Sequence, residues 1–166
     1  MNTFEPNRYR RSLRLPAYDY SQPGAYFVTI CTRNRECLFG EIVDGEMMLN
    51  ECGKVVRDSC RLLLEHYPNI QMDEFIVMPN HIHAIISISE SVGAGFKPAQ
   101  GTRAGLRPAP AKRHALPEII RGLKTFSAKR VNALHNSPGS PVWQRNYYEH
   151  VIRGEDDLNA IHEYIE

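Results

Sequence analysis

The stretch "VMPNHIHAII", residues 77–86, sets two histidines one residue apart, His81 and His83, inside an apolar run. Imidazole fills a core poorly and binds divalent ions well, so what the pair faces decides what it does. The β-branched content of the run, and the Pro79-Asn80 turn before it, make it a strand, in which alternate side chains share a face. His81 and His83 then point one way with Ile85 and Ser87, while Ile82, Ala84, Ile86 and Ile88 point the other way, toward helices. Two imidazoles about 7 Å apart at Cα on one strand face can converge on a single metal ion.

Three chemistries compete for such a pair. A histidine-triad nucleotide hydrolase requires a third histidine at position 85, which is Ile85. A non-haem iron facial triad requires a carboxylate beside the pair on the same face, and none stands there. The third is a histidine pair holding a hard divalent ion against a phosphate, completed by one more polar ligand and a nucleophile from elsewhere. Beside these stands the plain possibility of an accidental pair, since many strands carry one.

The elements around the pair follow from periodicity and punctuation. "YFVTICT" (26–32) alternates like a strand, and "CLFGEIVDGEMMLN" reads as a hairpin turning at Asp44-Gly45. Asn50 can cap a helix from Glu51 to about His66, with Val55, Val56, Cys60, Leu63 and Leu64 on its apolar side. "IQMDEFIVMP" is a strand, followed by the histidine strand. A Gly/Pro/Ala-rich segment, about 91–115, has no apolar periodicity and repeats "AGFKPA" as "AGLRPA", which reads as a flexible insertion. A helix resumes after Pro117 with Ile119, Ile120, Leu123, Phe126, Val131 and Leu134 as its apolar side; "NSPGSP" breaks it. "VWQRNYYEHVIR" is ambiguous between strand and extended loop, and Glu155-Asp156-Asp157 opens a last helix with acids where the dipole favours them. Strands joined by tight turns and interleaved with helices predict an α+β fold, a ferredoxin-like or RRM-like antiparallel sheet packed with helices.

At 166 residues the chain is one ordinary domain. No run is long enough for a membrane helix, and the polar N-terminus is no secretory signal, so a cytoplasmic protein is expected. Four scattered cysteines without a Cys-x-x-Cys pair point to reduced thiols. The net charge of +1 conceals an uneven distribution. Arg8, Arg10, Arg11 and Arg14 crowd the N-terminus, nine lysines and arginines between 96 and 130 face only Glu118, and the tail is acidic. Basic stripes of this kind are the footprint expected for a nucleic-acid partner, or simply a solvated surface.

In order along the chain, "VMPNHIHAII", "GLKTFSAKRVNAL", "VWQRNYYEHVIRGEDDL" and "IHEYI" closely resemble the single-tyrosine HUH transposases (His, hydrophobic residue, His). The nearest branch is that of the REP-associated tyrosine transposases, named for bacterial repeated extragenic palindromes. The resemblance spans Tyr26 to Ile165, leaving out the insertion.

What it implies is specific. The fold is the HUH endonuclease fold. His81 and His83 match the ligands of a divalent metal, Mg²⁺ or Mn²⁺, that polarises a phosphate of single-stranded or hairpin DNA, with repeated extragenic palindromes as the implied target. Tyr164 matches the nucleophile, which forms a 5′-phosphotyrosine and frees a 3′-OH. On the last helix, Leu158, Ile161 and Ile165 form the buried stripe and Tyr164 lies on its flank. Tyr147 and Tyr148 are rival nucleophiles ranked lower, because their block matches the family's structural "W-Q-x-x-Y" signature. Arg10, Arg11 and Arg14, with Arg121, Lys124, Lys129 and Arg130 of the basic helix, would contact the DNA backbone. Tyr147, Tyr148 and Trp143 could stack bases, although packing suits Trp143 better. The branch leans toward monomers acting in cis. The family's third ligand, an Asn or Gln four residues after the tyrosine, would fall at 168, beyond Glu166, so another group or water completes the sphere or the enzyme is a weakened, truncated copy. A non-catalytic nucleic-acid-binding module of the same shape is the alternative.

Overall fold

The computed structural model describes residues 18–89 and 114–165; Arg10, Arg11, Arg14 and the insertion up to residue 113 lie outside them. Along the chain run β1 (Gly24–Cys31), a 3₁₀ turn (Arg33–Arg35), β2 (Gly40–Val43), β3 (Glu46–Leu49), α1 (Glu51–His66), β4 (Ile70–Met78), β5 (His81–Ile88), α2 (Leu116–Leu134), β6 (Tyr148–Ile152) and α3 (Glu155–Ile165). The ambiguous "VWQRNYYEHVIR" segment thus resolves into a loop that becomes strand only from Tyr148.

The main sheet has the order β4-β5-β1-β6, and every neighbouring pair is antiparallel. With α1 between β1 and β4, and α2 between β5 and β6, this is the ferredoxin-like split βαβ arrangement of an α+β fold. The β2–β3 hairpin forms a separate two-stranded sheet and turns on Asp44 (φ 51°) and Gly45 (φ 85°). Positive φ at both central residues matches the right-handed twist of the flanking strands, which is why an Asp-Gly pair stands there.

One face of the sheet carries the principal core. Tyr26, Val28 and Ile30 of β1 and Ile82, Ala84, Ile86 and Ile88 of β5 pack with Val56, Cys60 and Leu63 of α1 and Ile119, Ile120 and Leu123 of α2. α1 starts where expected, with the Asn50 side chain accepting from the Gly53 amide at 3.0 Å. A Cβ at Gly53 would run into the Phe39 carbonyl, so only glycine lets this helix start lie so close.

The apolar stripes needed correction at their edges. Leu64, Phe126 and Leu134 are exposed, while Ser59, Ser127 and Asn132 are buried. Ser127 earns its burial: its hydroxyl accepts from Trp143 Nε1 at 3.0 Å, and Trp143 packs on Phe39, so the tryptophan serves the core. All four cysteines are free. No helix among the described residues is long and apolar enough to cross a membrane.

Candidate active site

The second face of the sheet is built differently. Because β1, β5 and β6 pair directly, His83 stands opposite Thr29, Thr29 opposite Tyr148, and His81 opposite Cys31. Directly paired residues of antiparallel strands share a face, so His81, His83, Thr29 and Tyr148 all lie on the side away from α1 and α2. Phe27 and Ile85 continue that side and are covered by α3 through Ile165, with Leu158 and Ile161 packed against them. The stripe anticipated for the last helix is therefore the one that docks it.

A chain of hydrogen bonds fixes the imidazoles. Thr29 Oγ1 and His83 Nδ1 lie 2.9 Å apart, His83 Nε2 and His81 Nε2 3.0 Å, and His81 Nδ1 and Asn80 Oδ1 2.7 Å. Asn80 Nδ2 donates to the Arg35 carbonyl at 3.2 Å, which turns its Oδ1 toward His81 and assigns the proton of that ring to Nδ1. The Nε2 of His81 then faces the pair as a bare lone pair. On the other side the Thr29 hydroxyl can donate to His83 or accept from it, so this ring can present either a proton or a lone pair at Nε2.

The electrostatics favour lone pairs. Burial pulls His83, only 7% exposed, down to about 4, with the neighbouring His81 as the second cause. His81 is lowered first by burial and then by the charge of Arg35. Neutral rings with their outer nitrogens held are what a metal-binding histidine needs. Their 3.0 Å separation is that of adjacent ligands of one octahedral ion with bonds of about 2.1 Å, so the pair fits a small divalent cation. Among the described residues no cluster of three or more His, Cys, Asp and Glu side chains occurs, so the pair stands without such a partner.

Tyr164 is brought to the same place. Its ring is 67% exposed and lies 5.3 Å from that of His83, at 71°, with Phe27 6.1 Å away and beneath both. Two imidazole–carboxylate contacts hold α3 across the sheet. At one end His150 of β6 bonds Asp157, and at the other His162 spans Asp73 and Glu74. Both acids sit in the register shift between Met72 and Phe75 of β4, a bulge that turns consecutive side chains toward the helix. Tyr148, 47% exposed, shares the face but stands two strands from β5, about 10 Å away by strand spacing.

The basic residues are placed elsewhere. α2 packs on the opposite face, so Arg121, Lys124, Lys129 and Arg130 do not join the histidines. Arg121 and Lys129 are exposed there; Arg130 donates to Ser59 Oγ at 3.2 Å and lies over the Phe126 ring. Lys124 is engaged within the fold: its ammonium donates to the carbonyls of Gln144 and Asn146 at 2.9 Å each, bracing the loop that leads to β6. Burial draws it down to about 8, which leaves it charged at neutral pH. Three residues escaped sequence reasoning: Thr29, Asn80 and Arg35. Asn80 adjoins the pair and was legible as more than a turn residue; Thr29 and Arg35 had no signal before the register was known.

No protein-family model matches the chain. It is 40% identical over 158 residues to a protein of Haemophilus influenzae named "Uncharacterized protein", covering 95% of this chain and 87% of that one. A second protein of the same organism, named "Putative REP-associated tyrosine transposase", is 25% identical over 147 residues, or 89% of this chain and 70% of the other. Among solved structures, a REP-associated tyrosine transposase bound to a REP hairpin superimposes with a TM-score of 0.58 at 18% identity, over 92% of this chain and 69% of that one. A transposase from Deinococcus radiodurans, likewise labelled putative, gives 0.51 at 18% identity, over 92% and 94%. The class defined by the sheet, its three helices and its histidine strand is the HUH transposase fold. Within that class the chain is similar to the REP-associated tyrosine transposases, a likeness that supports a transposase-like function.

Proposed function

We propose that the chain is a metal-dependent DNA endonuclease and strand transferase, acting on single-stranded or hairpin DNA through a 5′-phosphotyrosine at Tyr164. The observation that carries this reading is the convergence of an exposed tyrosine ring on His83, 5.3 Å away, on the sheet face that α3 covers only in part. An exposed phenol on the rim of a half-buried imidazole pair can meet a phosphate that the pair orients; a core tyrosine cannot.

The reaction balances without a cofactor that is consumed. The Tyr164 oxygen attacks phosphorus and gives its proton to solvent; the bond from phosphorus to the 3′ oxygen of the preceding nucleotide breaks, and that oxygen takes up a proton as 3′-OH. One phosphodiester replaces another, so the strand can be rejoined later without ATP. Mg²⁺ or Mn²⁺ held by His81 and His83 would polarise the phosphate and spread its developing charge. Thr29 and Asn80 keep the rings aimed, and α3 keeps Tyr164 in reach. Because the tyrosine meets the histidines of its own chain, the arrangement supports a monomer acting in cis. A neighbour in fold that holds a REP hairpin supports palindromic DNA as the substrate.

The test is a covalent adduct. Incubation with a 5′- or 3′-labelled hairpin oligonucleotide in Mn²⁺ or Mg²⁺ is expected to give a denaturation-resistant protein–DNA band carrying the 5′ end of the downstream fragment, lost on chelation. A wild-type chain that binds the oligonucleotide but forms no such band with either metal would instead be a binding module.

A further inference from the structure

His162, two residues before Tyr164, is met by a carboxylate at each of its ring nitrogens. Nε2 lies 3.0 Å from Asp73 Oδ2, and Nδ1 lies 2.9 Å from Glu74 Oε2. A carboxylate only accepts, and a bare nitrogen lone pair so close to one is repelled. The geometry therefore calls for a proton on each nitrogen, which is the imidazolium form. Consecutive strand residues ordinarily point to opposite faces, so two neighbouring acids rarely share one partner. Asp73 and Glu74 do so because the register of β4 shifts between Met72 and Phe75. The bulge builds a clamp for a protonated ring.

What the clamp fixes is the roll of α3 about its own axis. Leu158, Ile161 and Ile165 dock the helix against Phe27 and Ile85, with Ile76 and Ile152 beside them. Apolar contact of this kind is non-directional and by itself tolerates rolling. At 3.6 residues per turn, His162 and Tyr164 stand about 200° apart, on opposite flanks of the docking stripe. A roll that moves Tyr164 from the His83 ring, 5.3 Å away, thus draws His162 off its two acids. The contact of His150 with Asp157 lies two turns back along α3, so His162 is the tie at the tyrosine end. We propose that His162 is a positioning residue for Tyr164, whose imidazolium, gripped by Asp73 and Glu74, sets the tyrosine against the histidine pair and releases it when a proton is lost.

No neighbouring element supplies a cation that could replace this one. β4 brings only Asp73 and Glu74, α3 adds Glu163 beside the ring, and β4, β5 and α3 contain no lysine or arginine. β1 meets the helix through Phe27. Of the other titratable groups on this face, β5 brings His81 and His83, and β6 brings Tyr148 and His150. Burial lowers both histidines of β5, His83 to about 4, so they titrate on the acid side of the ordinary histidine range. His150 and Arg153 stand at the far end of α3, beside Asp157. The sign follows from the geometry. While His162 is protonated both contacts attract; as rising pH removes one proton, a lone pair turns on one of the acids and the clamp opens. All three side chains are partly exposed, so the effect is modest, about threefold in the share of aligned tyrosine.

This rests on the reading of Tyr164 as nucleophile, and its first test needs no reaction. Replacing Tyr164 by para-trifluoromethylphenylalanine in the full chain lets fluorine NMR report the surroundings of that ring, without DNA or metal, between about pH 6 and pH 9. The resonance is expected to move in one step across this range. His162→Arg keeps a planar cation between the acids at every pH and should abolish the step. Asp73→Asn with Glu74→Gln removes the acids and should abolish it too. With Tyr164 restored, the adduct rate in Mg²⁺ is divided by that of His162→Arg at the same pH, which cancels the pH dependence common to both. That ratio is expected to fall about threefold from the acid to the alkaline end. A resonance that does not move, or that moves equally in His162→Arg, overturns the proposal; in the second case the step belongs to another group such as His150. A step with an unchanged rate ratio also overturns it, since the clamp would then be a structural contact only. An adduct formed beside a motionless resonance leaves the proposed activity standing without the clamp. A step governed by His162, in a chain that never forms an adduct, supports the clamp and overturns the activity instead.

Discussion

The two faces of the sheet divide the work of the molecule, and β5 shows the division within one strand. Ile82, Ala84, Ile86 and Ile88 are no more than 3% exposed and key into α1 and α2. The residues between them, His81 and His83, meet a hydroxyl, an amide and each other. The second face has its own small cluster of Phe27, Ile85 and Ile165, enough to dock α3 but not to seal the histidines. Since stability comes chiefly from apolar area buried on the first face, the second can keep polar groups half-wet and a tyrosine in solvent. Changes on the two faces should therefore move different measurements.

The largest contrast is at Tyr164. Its replacement by Phe removes only an exposed hydroxyl, so the urea midpoint should stay unchanged while adduct formation falls by more than about 10³-fold, to background. Tyr148→Phe, on the same face but two strands from β5, should leave the adduct intact. An adduct that survives Tyr164→Phe and disappears with Tyr148→Phe would transfer the nucleophile to β6.

Next comes the opposite face. Ile86→Ala opens a cavity in the main core and should cost about 3 kcal/mol, within the roughly 2–5 kcal/mol range of such truncations. Urea denaturation followed by circular dichroism measures it. Adduct formation at low temperature, where the variant is still folded, should change little. If Ile86→Ala lowers activity out of proportion to its folded fraction, the faces are coupled and the division is wrong.

How far the sequence reached follows the same line. Strand alternation alone sorted β5 into an apolar side and a histidine side, and the ordered blocks ending in "IHEYI" brought Tyr164 into the account. Local signals also sufficed for Asn50 as a cap and Asp44-Gly45 as a turn, because each acts within a few residues of itself. What stayed hidden was relational. Thr29 becomes a partner of His83 only through the β1–β5 register, and Asp73 and Glu74 reach His162 only through a bulge. Phe126 and Leu134 looked like core because the helical period fits them, yet tertiary packing chose Ser127 and Asn132 instead. Lys124 was legible as a cation, but not as the donor to two loop carbonyls.

Thr29→Val tests a smaller effect on the histidine face. Valine keeps the shape and the β-propensity but removes the only hydroxyl within bonding distance of His83 Nδ1 among the described residues. Binding a metal at Nε2 leaves the proton on Nδ1, which then needs an acceptor. The variant should melt like the wild type while needing about tenfold more Mn²⁺ for half-maximal adduct, the loss typical of an outer partner of a metal-binding histidine. Metal dependence unchanged in Thr29→Val would mean that the ring is aimed by its packing on Phe27 instead.

The smallest effect concerns how α3 is held, and its sign depends on pH. Asp157 accepts from His150 Nε2 at 2.9 Å and from the Arg153 amide at 3.1 Å, in the first turn of α3. These hydrogen bonds, that from His150 foremost, hold its carboxyl below the ordinary value of 3.8. A carboxyl whose folded-state pKa is depressed contributes stability that is fully present above its unfolded value and is lost as pH falls through the folded one. Asp157→Asn keeps an acceptor for the Arg153 amide but removes the charge, so its urea midpoint should lie slightly below the wild type at pH 7. The gap should close as the pH is lowered below 3.8, where the wild-type carboxyl also becomes neutral. Because α3 carries Tyr164 while the main core lies on the other face, the adduct yield should respond to this substitution more than the midpoint does. A gap that widens toward acid would mean that Asp157 is a strained neighbour of α3 and not one of its anchors.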